Sequence, residues 1–491
     1  MRTVNLAIVG GGPAALAAAT EAASAGLRSI VVIDENRALG GQYYRRLPGE
    51  FRVADPAALG RTYAEGEQLV GQVVGSGTSP IEVLTDAAVW GILPDEGILS
   101  LANAEHCWSL KARAMLLATG AYDRPVAFPG WTLPGVVTAG AAQIMVKTYR
   151  VLPGRRVLVA GSGPLLLALT KQLLDAGAEV VAVVEARPLG AWRQYIRHAP
   201  ALWGNGRTLS DGWSYLRAMR SAKVPYLTGH TIVAALGTNE VEQAVVARLD
   251  TQSRPVSGTE RTWSVDTICL GFGFLPSSEL AKVCGCRLDY VAAWGCYAPR
   301  VDRWMESTVP NLFVAGDVAG IRGVEIALEQ GRLAALAVAH RLGTLGQAQL
   351  EQRERPIRKK LRRLLRFRHM VDELYTFDPE LCTNLLTPDT IVCRCEEITA
   401  GEIYEAIAEG GVDAYGVKMR SHAGMGPCQG RNCSPVVTQI LARQAQKKQD
   451  DIEQFSLRPS VKPIPMGVLA ICEASPGLST AAASKEGGSP A

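Results

Sequence analysis

The sequence contains no apolar run of the ~18 residues that a bilayer span requires. Its first twelve residues carry one Arg, a short apolar strand and three glycines. They have neither the long apolar core nor the small-residue cleavage site of a secretory leader. The chain is therefore read as cytoplasmic, with a peripheral place at the inner membrane left open. A charge of one sign is missing too. With 51 basic and 47 acidic residues the net charge is +4, too balanced for a chain-wide nucleic-acid surface. Hydrophobic residues at 47% and charged residues at 20% exclude a disordered chain and a disulfide miniprotein. At roughly 100–200 residues per domain, 491 residues predict several domains. The 11 cysteines are an odd number. Without an export signal they are expected to be buried, catalytic or metal-bound rather than disulfide-paired.

What is present begins with glycine, 50 residues of it. Val4–Val9 reads as a buried strand, followed by Gly10-Gly11-Gly12-Pro13-Ala14-Ala15 and an alanine-rich helix to about Ser24. A second strand ends in Asp34-Glu35. This is a βαβ unit with a G-x-G-x-x-A turn, the pattern of a dinucleotide site. Gly10 permits the tight turn, Gly12 lets backbone amides approach a pyrophosphate, and Ala15 lets the helix pack close to its strand. The helix N-terminus, opened by Pro13 and Ala14, supplies partial positive charge to the phosphates. A carboxylate after the second strand holds the adenosine ribose. Counting back five residues from Gly40 selects Glu35 over Asp34.

Three later segments favour FAD. Leu39-Gly40-Gly41-Gln42 resembles the Gly-Gly turn near the flavin in flavoproteins with two dinucleotide domains. Met115-Leu116-Leu117-Ala118-Thr119-Gly120 resembles their strand ending in Ala-Thr-Gly. Asn311 to Asp317 resembles their late strand ending in Gly316-Asp317, whose Asp bonds the ribityl chain. A second unit repeats the pattern: Arg156–Ala160, then Gly161-Ser162-Gly163-Pro164-Leu165-Leu166, a helix, and Glu179–Val184 closing on Glu185. Gly161, Gly163 and Glu185 would suit a second nucleotide whose ribose hydroxyls are free. A structural scaffold that binds nothing is the competing reading. No redox cysteine pair adjoins either unit. Cys284-Gly285-Cys286 is read as two buried thiols.

Near the C-terminus, Cys393-Arg394-Cys395 precedes Cys428 and Cys433 in the pattern C-x-C-x₃₂-C-x₄-C. Four thiolates hold a [2Fe–2S] cluster or zinc. The C-x-C arm and the glycine-rich approach Gly424-Met425-Gly426-Pro427 favour the [2Fe–2S] cluster over zinc. Thr399-x-x-Glu402 forms a capping box that opens a helix to about Glu409, and Ser434 to about Gln446 is a second helix. Of the six histidines none sits in a motif, and His422 is the one placed to tune the cluster. Arg353–Arg368 holds nine Arg or Lys in 16 residues, with Ile357, Leu361, Leu364 and Leu365 at helical spacing. It is read as a helix packing that stripe on the protein or a partner, in preference to a membrane surface or nucleic acid. The proline-rich 458–465 is expected to lie extended over a domain surface, and 475–491 to be disordered.

The expected class is α/β: a two-dinucleotide-domain flavoprotein with a Rossmann pair and a small helical [2Fe–2S] domain. The expected division is an FAD domain from 1–125 and 300–345, an inserted dinucleotide-type domain 126–299, a basic linker 346–385, the cluster domain 386–447, and a tail 448–491. Residues 386–447 resemble the bacterioferritin-associated-ferredoxin type. Gly40-Gly41-Gln42-Tyr43-Tyr44-Arg45, Gly271-Phe272-Gly273-Phe274-Leu275-Pro276 and Gly424-Met425-Gly426-Pro427-Cys428-Gln429-Gly430-Arg431 carry a wider likeness. Nearly the whole chain is similar to the α-type subunits of heteromeric flavin-dependent amino- or imino-acid dehydrogenases, the opine oxidase, hydroxyproline dehydrogenase and hydrogen cyanide synthase group. That resemblance implies a β subunit with an amino-acid-oxidase-like fold where substrate is oxidised. It also admits an FMN between subunits and a further, small subunit. It implies an electron-transfer subunit that delivers to a respiratory acceptor. A stand-alone NAD(P)H-dependent FAD/[2Fe–2S] reductase is the alternative. No catalytic acid–base residue is identified.

Overall fold

A computed structural model describes residues 1–55, 59–75, 79–188, 198, 202, 204–470 and 472. The tail from 475 onward lies outside the described residues.

The apolar run Arg2–Val9 forms β1. Gly12 caps the helix α1 (Pro13–Ser24), and β2 (Ile30–Ile33) is buried along its whole length. Strands this uniformly apolar belong in a parallel sheet covered on both faces. Here β1 pairs in parallel with β2 and with β6 (Cys107–Leu117), while β2 pairs with β3 (Ile81–Leu84). β4 (Ala88–Leu93) and β5 (Ile98–Ala102) continue antiparallel from the first half of β6. The second half of β6 pairs with Leu312–Val314, which returns after an excursion of about 190 residues. The helix Val324–Arg341 then packs across α1. They approach so closely that a Cβ at Gly331 would lie 2.0 Å from the Ala14 carbonyl oxygen.

The excursion builds a second parallel sheet. Its strands run Tyr226–Thr228, Glu179–Glu185, Arg156–Gly161, Thr267–Gly271 and Val136–Thr138 in spatial order. An antiparallel sheet of His230–Leu236, Gln243–Arg248 and Arg261–Ser264 lies beside it. The basic stretch lies within one helix, Gln347–Leu374. Ile357, Leu361 and Leu364 join the core of the first sheet, and Leu365 is 37% exposed. Arg353 pairs with Glu21 of α1 at 2.6 Å, and Lys360 with the buried Glu329 at 2.7 Å. Two of the nine basic residues thus tie the helix to the rest of the chain.

The cysteine-bearing module opens with a hairpin of Ile391–Cys393 and Ile398–Thr399. Thr399 and Glu402 form the capping box, and the helix Ala400–Ala408 follows. Ala414–Ser421 is a helix that the sequence pattern does not announce, and Ser434–Gln444 leaves the last cysteine. The module shares a core with the second sheet, and Trp131 Nε1 donates to the Ile391 carbonyl at 2.6 Å. From 459 to 472 the chain returns to the first sheet, where Val461 N donates to Trp90 O at 3.0 Å. A short helix, Met466–Ala470, precedes a disulfide between Cys107 and Cys472. That pairing corrects the expectation of no disulfides: the returning tail sets Cys472 against the first residue of β6.

Candidate functional site

The first glycine-rich turn sits at the carboxyl ends of β1, β6 and Leu312–Val314. Open α/β sheets hold ligands in such crevices. Gly10 has φ +105°, and a Cβ there would meet the Ala118 carbonyl oxygen at 2.3 Å. Gly40 and Gly41 are also left-handed, and a Cβ on Gly41 would lie 2.8 Å from the Gly12 Cα. Gly316 (φ +85°) lies against Ala14 at the start of α1. Residues 10–15, 40–42, 118–120 and 316–317, scattered over some 300 positions of sequence, therefore meet around one helix N-terminus. Gly120 has open space where a Cβ would be. Thr119 Oγ1 donates to Ser277 O at 2.7 Å, and Arg45 donates to the exposed Gln42 Oε1 at 2.9 Å. Asp317 Oδ1 accepts from the amides of Arg322 and Gly323, both at 3.1 Å.

The two acids after β2 part ways. Asp34 is 5% exposed and accepts from Gly11 N at 2.5 Å and Asn36 N at 2.7 Å. It stands against the turn, as an adenosine-binding acid must. Glu35 points outward to an ion pair with Lys462 of the returning tail. Both lie just past the end of β2 at Ile33, where the turn backbone sends the two side chains to different partners.

The second unit keeps the same plan. A Cβ on Gly161 (φ +156°) would lie 2.1 Å from Gly271 O, whereas Gly163 (φ +117°) borders open space. Glu185 is fully buried, accepting from Gly163 N and Arg187 N, both at 2.9 Å. Desolvation pushes its carboxyl above the usual range. Cys284 and Cys286 are buried, and burial pushes the Cys284 thiol up to about 12. They are inert packing thiols.

The four cysteines of the C-terminal pattern face one another as two pairs. Cys393 lies beside Cys433, and Cys395 beside Cys428. The Cys393 thiol is held down to about 5, first by the Cys433 contact and then by backbone amides of Gly424, Glu396 and Cys395. Cys433 is correspondingly pushed up by Cys393. Amides aimed at sulfur are what a cluster of thiolates requires. Gly426 leaves no room for a side chain, since a Cβ there would lie 2.4 Å from the Cys395 Cβ. Gly424 and Gly430 (φ +85° and +82°) are roofed by Phe455, at 2.4 and 2.5 Å from their would-be Cβ atoms. Phe455 has no sequence signal beyond its apolarity. His422 is exposed and ends the helix Ala414–Ser421 in a left-handed conformation.

The model of the pyridine nucleotide-disulphide oxidoreductase family matches residues 4–341. The chain belongs to that family. A model described as the BFD-like [2Fe-2S] binding domain matches residues 391–443. This oxidoreductase therefore binds FAD and a [2Fe–2S] cluster. It is 35% identical to an opine oxidase subunit from Rhizobium meliloti over 95% of this chain and 87% of that one. It is also 35% identical to hydrogen cyanide synthase subunit HcnB of Pseudomonas aeruginosa, over 93% and 96%. Among solved structures, L-proline dehydrogenase from P. horikoshii shares the fold, with a TM-score of 0.67 and 20% identity over 95% of this chain and 79% of that one. Several relatives are named as subunits of multi-subunit enzymes. Among the described residues no helix is long and apolar enough to cross a membrane.

Proposed function

We propose that this chain is the electron-transfer α subunit of a heteromeric dehydrogenase that oxidises an amino acid or secondary amine of the opine, hydroxyproline, proline or glycine kind. Its partner is a β subunit with an amino-acid-oxidase-like fold. The same reading admits an FMN at the interface between them and a small third subunit. Electrons leave to a respiratory acceptor from a cytoplasmic site at the inner-membrane surface. A flavin takes two electrons together and releases them singly, and a [2Fe–2S] cluster carries one at a time.

One observation carries the reading. The segment leaving the Ala118-Thr119-Gly120 strand end touches the cluster loop directly. Tyr122 Oη donates to the Arg431 carbonyl at 3.3 Å, and Arg431 pairs with Glu279 at 2.7 Å. Arg431 stands between Cys428 and Cys433, so the flavin crevice and the cluster module are braced together. The residues proposed to hold FAD are Gly10, Gly12, Pro13, Ala14, Ala15, Asp34, Gly41, Gln42, Ala118, Thr119, Gly120, Gly316 and Asp317. Cys393, Cys395, Cys428 and Cys433 hold the cluster. Co-purification with the products of neighbouring genes, followed by a screen of opines, hydroxyproline, proline and glycine, tests this. Reduction of flavin and cluster by one of these only in the presence of a partner chain supports it. Oxidation of an amine by the chain alone refutes it.

A second reading has an observation of its own. The open space beside Gly163 leaves a nucleotide site at Gly161, Gly163 and Glu185 sterically free, as a stand-alone NAD(P)H-dependent reductase requires. Glu185 is buried with both oxygens bonded at its turn, as Asp34 is at the first unit.

A further inference from the structure

Between the flavin-side strands and the cluster loop lies a cavity of about 110 Å³. One water fills roughly 10–15 Å³ on such a scale, so there is room for a small organic or inorganic ion. Its walls come from residues 122–124 and 275–282, the hairpin of Leu288–Val291 and Cys296–Pro299, residues 377–382, and residues 429–439 and 449–457 of the C-terminal part.

The charge of this wall is unbalanced. Among its lining residues Arg124, Lys282 and Arg431 are cations and Glu279 is the one carboxylate, already paired with Arg431. Arg124 is 3% exposed. Its terminal nitrogens donate to the carbonyls of Gly295, Phe274 and Trp294, and its Nε has no partner. Its guanidinium lies 4.0 Å over the Phe377 ring. Lys282 Nζ donates to Phe455 O at 2.5 Å and Gln454 Oε1 at 3.3 Å, both neutral acceptors. A buried cation without a counter-charge costs several kcal/mol; Arg124 is such a cation, and the half-buried Lys282, within the pull of Glu453 and Glu279, borders the same void.

We infer that this cavity is a binding site for a small oxyanion, a carboxylate or a phosphate-sized group, held by Arg124 and Lys282 beside the cluster loop. Carboxylate metabolites and inorganic phosphate share this chemistry. The site does not depend on which amine the enzyme oxidises or on its partner.

Calorimetric titration of the holoprotein, with FAD and cluster in place, tests it at constant ionic strength. One arm uses inorganic phosphate and sulfate, the other acetate and proline. Saturable binding in either arm is expected, and the arm that saturates names the source. Lys282→Gln should weaken that binding about tenfold, the scale of one charge-assisted hydrogen bond. Arg124→Gln should weaken it further wherever that variant folds. Lys359→Gln, at an exposed site on the basic helix, should leave it unchanged. Absence of saturable binding in both arms overturns the proposal, as does equal weakening by Lys359→Gln and Lys282→Gln.

Discussion

Asp34 illustrates how a single carboxylate organises the cofactor crevice. Its two oxygens are spent on the Gly11 amide and on Asn36, so it fixes the turn from which the pyrophosphate-binding amides project. Hydrogen bonds to a charged group contribute ~1.5–3 kcal/mol. Asp34→Asn should therefore weaken FAD binding about tenfold or more in a fluorescence titration. Glu35→Gln removes only a half-exposed ion pair and should stay within about twofold; the reverse ranking would restore Glu35 to the role the residue count gave it. The count measures distance along the chain, whereas the turn that follows Ile33 decides which side chain faces the Gly11 amide. Lys282 carries a prediction of a different kind. Burial lowers its ammonium from 10.5 to about 8, against the smaller opposing pull of Glu453 and Glu279. Between those values the folded chain binds fewer protons here than the unfolded chain, so stability rises as pH climbs from about 8 towards 10.5. Below about 8 the cost of the buried charge is present in full. Denaturation midpoints measured across this range should rise less in Lys282→Met than in the parent, and superimposable profiles would disprove the assignment.

At the scale of elements, the most legible were those whose signal is local. The two glycine-rich turns, the alanine-rich helix and the Thr399–Glu402 capping box form where the sequence pattern places them, because each depends on neighbours within a few residues. The basic helix was legible as an amphipathic stripe, although Leu365 falls at its exposed edge. Elements fixed by distant partners were not. The proline-rich 458–465 reads as extended, but nothing in it announces that Val461 enters the first core or that Lys462 reaches Glu35. Nor does any spacing pair Cys107 with Cys472 across 365 positions. The tail beyond Pro459 touches the first domain through few core residues, so the disulfide is its main tether. Cys472→Ser should open 458–470 to limited proteolysis while flavin absorbance and the thermal midpoint of the remainder change little. Equal protease resistance in parent and variant would show that packing alone holds the strap.

The whole molecule couples two cofactor sites through shared packing. The cluster module meets the second sheet's core through Trp131, is roofed by Phe455, and touches the flavin side by Tyr122, Arg431 and Glu279. Cys428→Ser should abolish the iron and sulfide content but leave bound FAD intact, as elemental analysis and visible spectra would record; loss of both together would mean the sites fold as one unit. The class of fold and the cofactors were readable because nucleotide turns and cysteine spacings are short motifs with few alternatives. The brace between them and the charged cavity were not, since Tyr122, Arg124 and Lys282 carry no motif and acquire meaning only from the chain segments brought against them. The account's central claim is the direction of electron entry, from an amine through a partner chain rather than from a nicotinamide. Anaerobic stopped-flow spectroscopy of the purified chain, mixed with NADH or NADPH and then with its partner and the amine substrate, tests it most directly. The flavin should stay oxidised with either nicotinamide and bleach with partner and amine, the cluster's reduced signal following. Rapid bleaching by NADH or NADPH alone would contradict the account.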